Sequence, residues 1–216
     1  RSSSQWIGGL YFLFSILLLI DIFDDNLKKT ITNFLSFNTS EIFKQFFKIL
    51  IFYISLTLII FLIYNIFEFR SFISLNLALS VISSGGFLPT NNLSSILNNE
   101  LKINLFSLTL LISFFGLFFL YNVFLIKNKG LKSIQEDLYL LFYLLFVYSI
   151  FFIFSDKNID FNYLFLAISS SVSNVGISLE KTPQKFAFIF LLLIIVGGSF
   201  FSTSSGLRFV KIYSLI

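Results

Sequence analysis

Residues 80–92 read SVISSGGFLPTNN, a run of small and turn-forming residues lodged between stretches that are almost wholly apolar. The surrounding segment, residues 71–88, is too apolar for a free loop. It is also too short and too interrupted to cross a bilayer, which takes about 20 apolar residues. Residues 161–179 have the same character. Ser80, Ser83, Ser84 and Gly86 of the first stretch recur in the second as Ser170, Ser173, Asn174 and Gly176, each ninety positions later. The same shift carries the apolar segment that begins near Lys48 onto the one that begins near Leu138. Ser and Gly are common at helix ends, so one such turn means little. Matching positions inside matching flanks mark an internal repeat.

The rest of the chain sets the solvent. Of 216 residues 56% are hydrophobic, 20% aromatic and 12% charged, and the mean hydropathy is +0.91, far above that of a soluble domain. The expected class is an all-α, multi-pass membrane protein in contact with lipid. Five apolar segments approach the spanning length: 6–22, 48–67, 105–126, 138–154 and 186–207. Lys28, Lys29, Lys44, Lys127, Lys129, Lys132, Arg208 and Lys211 fall on one side if the five alternate, and the positive-inside rule makes that side cytoplasmic. The absence of Cys and His removes thiol nucleophiles, imidazole bases and the usual zinc or haem ligands. No enzyme activity, cofactor or transition metal is therefore expected. Basic residues scattered at segment ends form no stripe for nucleic acid. The chain opens Arg-Ser-Ser-Ser, has no Met and closes in an apolar run, which reads as a piece of a longer protein.

Between the spans, 71–88 and 161–179 fit re-entrant segments. A short helix enters the membrane partway and irregular backbone returns, which is tolerated only where protein or a water-filled cavity satisfies the exposed amides. Such a helix directs its negative C-terminal end inward, favouring a cation. The glycine-bearing stretch that follows can align main-chain oxygens in place of an ion's hydration shell. Ser84, Gly85, Gly86 and Phe87, with Asn174, Val175, Gly176 and Ile177, are the candidate ion-binding residues. Each quartet adds one hydroxyl or amide to its carbonyls. Ser80 and Ser170 would cap or brace the short helices, with Ser83 and Ser173 supporting the loops. Phe87 and Ile177 would pack behind them.

Three stretches resemble the Trk/Ktr/HKT superfamily of potassium transporters, whose subunits look like four potassium-channel-type hairpins fused in one chain. Residues 2–9, SSSQWIGG, look like the Arg-Ser-x-x-Gln-Trp-x-Gly-Gly signature that opens the second helix of the first repeat. Residues 78–87, ALSVISSGGF, are similar to the second filter loop, and residues 197–208, GGSFFSTSSGLR, to the loop that interrupts the second helix of the third repeat. The resemblance implies that 1–22 is the outgoing helix of repeat one, 23–47 a cytoplasmic linker and 48–126 the second repeat with its filter loop. Residues 127–137 would be a cytoplasmic loop, and 138–216 a third repeat with a filter loop and a broken second helix. It further implies potassium uptake across the plasma (bacterial inner) membrane, a homodimer, and a cytoplasmic nucleotide-binding regulatory subunit. One chain with two filter loops would not close a ring of four.

Gly197, Gly198, Ser202, Thr203, Ser204, Ser205 and Gly206 would form the family's gate. Hydroxyls compete for backbone groups, and Gly costs about 1 kcal/mol relative to Ala in a helix, so the stretch is weak as a helix. The residues alone also allow close helix packing through small side chains. Phe200, Phe201 and Ser205 depart from the family's small residues, and Asn174 stands where hydroxyls are common. Gly86 and Gly176 follow the potassium pattern, since members with a filter serine tend toward sodium.

Other features read as structural. Asp24-Asp25 and Glu136-Asp137 fit solvated loops, Asp21 and Trp6 membrane boundaries, and Asn91-Asn92 after Pro89 a turn. Arg208 and Lys211 fit cytoplasmic anchors. The alternatives are a sodium-permeable member of the same superfamily, a secondary transporter of a small solute, and a membrane-embedded enzyme. The second wants inverted repeats, whereas these run in one orientation. The third wants acidic or His residues at membrane depth, and neither 71–88 nor 161–179 has any.

Overall fold

The computed structural model describes residues 1–23, 42–89, 93–115, 131–154, 160–177, 179, 186–199 and 202–208. Asp24-Asp25, Lys28, Lys29, Asn91-Asn92, Lys127, Lys129, Phe200, Phe201 and Lys211 lie outside them, as do the side chains of Asp21, Lys44, Lys132, Glu136 and Asp137. The described residues form seven α-helices: α1 (Ser2–Phe23), α2 (Ile42–Ile66), α3 (Ser71–Ile82), α4 (Glu100–Phe114), α5 (Leu131–Phe154), α6 (Phe161–Val172) and α7 (Ala187–Ile195). A 3-10 turn spans Leu93–Ser95, and one isolated β-bridge joins Val196 to Leu207.

The long helices are apolar on every side. In α2, Ile49, Tyr53, Leu56, Ile60 and Tyr64 are buried at helical spacing, while Ile51, Leu58, Leu62 and Ile66 line the opposite face at 64, 53, 57 and 76% exposure. Burying one such side chain is worth about 1.5–3 kcal/mol, so water would be a poor medium for that second stripe. A helix hydrophobic all round suits a membrane or a large core. Phe46–Ile66 alone among the described helices is long and apolar enough to cross a bilayer. In α5, Leu140, Leu144, Val147 and Phe151 are buried, whereas Phe142, Leu145, Phe146 and Phe152 face outward.

Four boundaries differ from the sequence reading. Helices α2 and α5 begin at Ile42 and Leu131, inside the expected loops, so Glu136 and Asp137 sit on a helix. Lys, Gln and Glu are good helix formers and carry the helix past the apolar edge. The third apolar segment leaves the helix at Phe115, whose φ and ψ of −75° and 155° are extended. The fifth is helical for nine residues only, and its backbone turns extended at Val196.

Helices α3 and α6 are each twelve residues long and start ninety positions apart. Each packs against the long helix that precedes its own repeat, α3 on α1 and α6 on α4, and also on a helix of its own repeat, α2 and α7 respectively. The apolar core has two parts. One gathers Leu13, Tyr53, Tyr64, Leu77, Val81 and Phe106, and the other Phe114, Leu144, Phe151, Ile168, Val172 and Phe190. Helix α6 serves both, through Leu166 in the first and Leu164 and Ile168 in the second.

Hydroxyl pairs tie the helices across the core. Tyr64 Oη and Thr109 Oγ1, 2.5 Å apart, join α2 to α4, and Tyr148 Oη and Ser169 Oγ, 2.9 Å apart, join α5 to α6. Thr109 also donates to the carbonyl of Phe106, so it keeps a partner if the tyrosine hydroxyl is removed. Tyr64→Phe is expected to cost about 0.6 kcal/mol, the usual worth of one interhelical bond in a membrane protein. Thermal melting in detergent measures it, and Tyr64→Ala, which also empties a large buried site, should lower the midpoint several times further.

Candidate functional site

The site begins where α3 and α6 end, and both end the same way. Ser83 N donates to Leu79 O, Ser84 N to Val81 O and Gly85 N to Ser80 O. Ninety residues on, Ser173 N donates to Ser169 O, Asn174 N to Ser171 O and Val175 N to Ser170 O. The crossed pair of bonds closing each set is a Schellman cap, which needs a left-handed residue just beyond the helix. Ser84 (φ 50°) and Asn174 (φ 58°) supply it. For a residue with a side chain that conformation costs about 1–2 kcal/mol, and Asn tolerates it better than most. Two positions later Gly86 (φ 69°) and Gly176 (φ 73°) are left-handed again, so each tip loop alternates hand twice within three residues.

The two tips touch. A Cβ built on Gly86 would run into the carbonyl oxygen of Val175, while one built on Gly176 would meet open space. Val175 and Ile177 are buried in the core, but Phe87 is 44% exposed and lies under the Arg1 guanidinium at 5.9 Å. Phe87 therefore does not pack behind its loop as expected, because its ring is drawn outward to that cation.

The serines divide their work unequally. Ser170 Oγ accepts the N–H of Ile177 at 2.6 Å, bracing the third-repeat tip from within. Ser80 Oγ is buried with no partner among the described residues, so the brace expected of it is missing. Ser83 and Ser173 return their hydroxyls to their own helices, at Leu79 O (2.8 Å) and Ser170 O (3.3 Å). The second-repeat tip is held from outside by Gln5 of α1, whose Nε2 donates to Gly85 O at 2.5 Å. Sequence reading met Gln5 only within the SSSQWIGG stretch and gave it no role of its own. Trp6 beside it packs its ring on Tyr53 at 5.1 Å, and its Nε1 is buried with no partner among the described residues.

Residues 196–199 and 202–208 fold back against the C-terminal ends of α3, α4 and α6. Thr203 Oγ1 donates to Ile82 O (2.7 Å) and lies 3.5 Å from Ser84 Oγ. Asn174 Nδ2 donates to Ser205 O at 2.9 Å, so its amide nitrogen serves this segment. Ser199 N and Ser204 N donate to the carbonyls of Phe114 and Ser113, which the early end of α4 leaves without helical partners. The segment closes on itself through Gly197 N to Leu207 O (2.8 Å) and Gly198 N to Ser204 Oγ (3.0 Å). A side chain at Gly198 would strike Phe114 O, and Gly206 is left-handed at φ 96°.

Arg208 is the clasp of this fold-back. Its Nη1 donates to Ser199 O (3.2 Å), Ser202 Oγ (3.0 Å) and Ser204 O (2.9 Å), and its guanidinium lies 5.4 Å from the Phe12 ring of α1. Arg208, expected as an anchor, thus bonds the chain's own turn. An arginine offers five donors, and the turn gathers carbonyl and hydroxyl oxygens within its reach.

Chemically, the assembled site is a set of main-chain carbonyls and hydroxyls at two helix C-termini, where the partial charge is negative. Backbone and hydroxyl oxygens of this kind suit a hard monovalent cation. The whole arrangement is similar to the crystal structure of the potassium transporter TrkH from Vibrio parahaemolyticus, with a TM-score of 0.76 at 15% identity. The fold is that of TrkH. The match covers 98% of this chain and 46% of that one, so the chain spans just under half the length of the TrkH protein. No family model and no curated protein matches this chain.

Within the TrkH fold the two tip glycines are unequal. Gly86→Ala and Gly176→Ala should each cost the left-handed strain, about 1–2 kcal/mol. Gly86→Ala should lower the melting temperature in detergent clearly more, since it also displaces the Val175 carbonyl. Equal losses would mean that the tips do not touch.

Proposed function

We propose that this chain is part of the pore-forming subunit of a potassium uptake system, and that residues 84–87 and 174–177 are two filter loops through which the ion passes. The observation that carries the reading is the pair of like-handed helix ends whose glycine tips meet at Val175 and Gly86. Backbone carbonyls in such a ring replace the ion's water, and the C-terminal ends of α3 and α6 lower the cost of bringing a positive charge there. The resemblance in sequence and the likeness in fold to a potassium transporter support the same reading. No covalent step is involved. Two tips make half of a fourfold ring, so conduction belongs to the assembled subunit. The dimer, the cytoplasmic nucleotide-binding regulator and the bacterial inner membrane follow from the resemblance and are part of the proposal.

The fold-back made by residues 196–199 and 202–208 is the gate in this reading. It is bonded to the end of α3 through Thr203 and to the filter loop 174–177 through Asn174, and Arg208 holds it shut. Hydrogen bonds to a charged donor contribute about 1.5–3 kcal/mol each, so releasing the clasp shifts the balance toward opening.

The test is cation flux by the intact gene product in proteoliposomes. Rubidium or thallium uptake well above that of sodium is expected, and Gly86→Ser should narrow the difference. Uptake of neither ion, or of a neutral solute instead, would overturn the reading. Arg208→Gln should raise resting flux about tenfold, the equivalent of roughly 1.4 kcal/mol lost from the closed state. Unchanged flux would leave the segment as a packing element only.

A further inference from the structure

The two tip loops follow one backbone path, yet at one level they carry different residues, Gly85 and Val175. Backbone conformation does not explain the glycine, because Gly85 is not left-handed. Gln5 explains it. A Cβ on Gly85 would overlap the carboxamide of Gln5, whose Nε2 also donates to the Gly85 carbonyl at 2.5 Å. The room that a side chain would need at Gly85 is taken by Gln5 of α1.

The consequence falls on the carbonyls. Val175 O stands against Gly86, facing the neighbouring tip. Its counterpart Gly85 O is bonded to an amide donor on α1. An N–H bonded to a carbonyl oxygen occupies one of its two lone pairs and fixes the carbonyl's direction. At this level the ring therefore has one carbonyl turned to its neighbour and one committed elsewhere.

Gln5 holds this position at a cost, since its Oε1 is buried with no partner among the described residues. An unpaired buried acceptor costs about 1–3 kcal/mol and calls for an explanation. The Ser80 hydroxyl, also buried and unpaired, completes the contrast with repeat three, where Ser170 braces the tip. The tip that lost its internal brace is the one that Gln5 holds.

We infer that Gln5 is a positioning residue that sets the cation preference of the pore by fixing the Gly85 carbonyl. The inference rests on the filter reading above. Freed from the amide, that carbonyl turns to whichever cation it fits, and discrimination between ions falls.

The experiment compares the wild-type gene product with Gln5→Met in proteoliposomes, scaling flux to the amount of monodisperse protein recovered. Met keeps the length of the side chain and loses the donor. The ratio of rubidium to sodium flux is expected to drop about fivefold, the effect of one hydrogen bond worth roughly 1 kcal/mol. An unchanged ratio in folded Gln5→Met overturns the inference and leaves the transport reading intact. A wild type that passes neither ion sinks both. Should Gln5→Met fail to fold, the pair Gly85→Ala and Gln5→Ala/Gly85→Ala decides. The single variant should be misfolded by the overlap and the double variant folded but unselective, whereas a folded and selective double variant also overturns the inference.

Discussion

The left-handed turn that closes α3 and α6 is the constraint on which the rest of the structure depends. A helix that stops inside an apolar environment leaves carbonyls without partners, and the crossed cap at Ser84 and Asn174 satisfies part of them within two residues. The cap aims the chain back along the helix, and the glycine two positions later turns it again. Gly86 can lie against Val175 O only because it has no side chain. The meeting of the tips is thus a product of backbone geometry, with no ion pair required to bring them together.

Everything around the tips answers their unpaired groups. The carbonyls exposed by the early ends of α3 and α4, at Ile82, Ser113 and Phe114, are taken up by Thr203, Ser204 and Ser199 of one returning segment. Its hydroxyls supply donors and acceptors to backbone groups without helical partners, at the end of α3 and within the segment itself. Its own bend exposes further acceptors, and Arg208 collects three of them. A cation drawn into the fold would be costly if bare, and here it is surrounded by oxygens and an aromatic ring.

Much of this was legible in the sequence, and the limits have physical causes. The ninety-residue repeat was visible because cap and glycine positions are dictated by backbone conformation, which admits few residue types. The apolar runs gave the long helices, since hydrophobic length is set by the bilayer. Helix ends were less visible. Lys, Gln and Glu extended α2 and α5 beyond their apolar cores, while α7 stopped at Ile195 inside an apolar run because the returning strand offered its backbone other partners, Leu207 O among them. Gln5, Arg208 and Phe87 escaped because their roles depend on contacts 80, 9 and 86 residues away along the chain, and composition carries no record of those. The difference between Ser80 and Ser170 was likewise hidden, for the two are identical in sequence and unlike only in what reaches their hydroxyls.

The central claim is that the two tips bind one cation between them with main-chain oxygens. Anomalous diffraction from crystals of the intact gene product grown with thallium tests it most directly. A thallium peak bordered by carbonyls of both 84–87 and 174–177 is the expected result. Ordered tips with no peak between them, or a peak held only by side chains elsewhere, would contradict it.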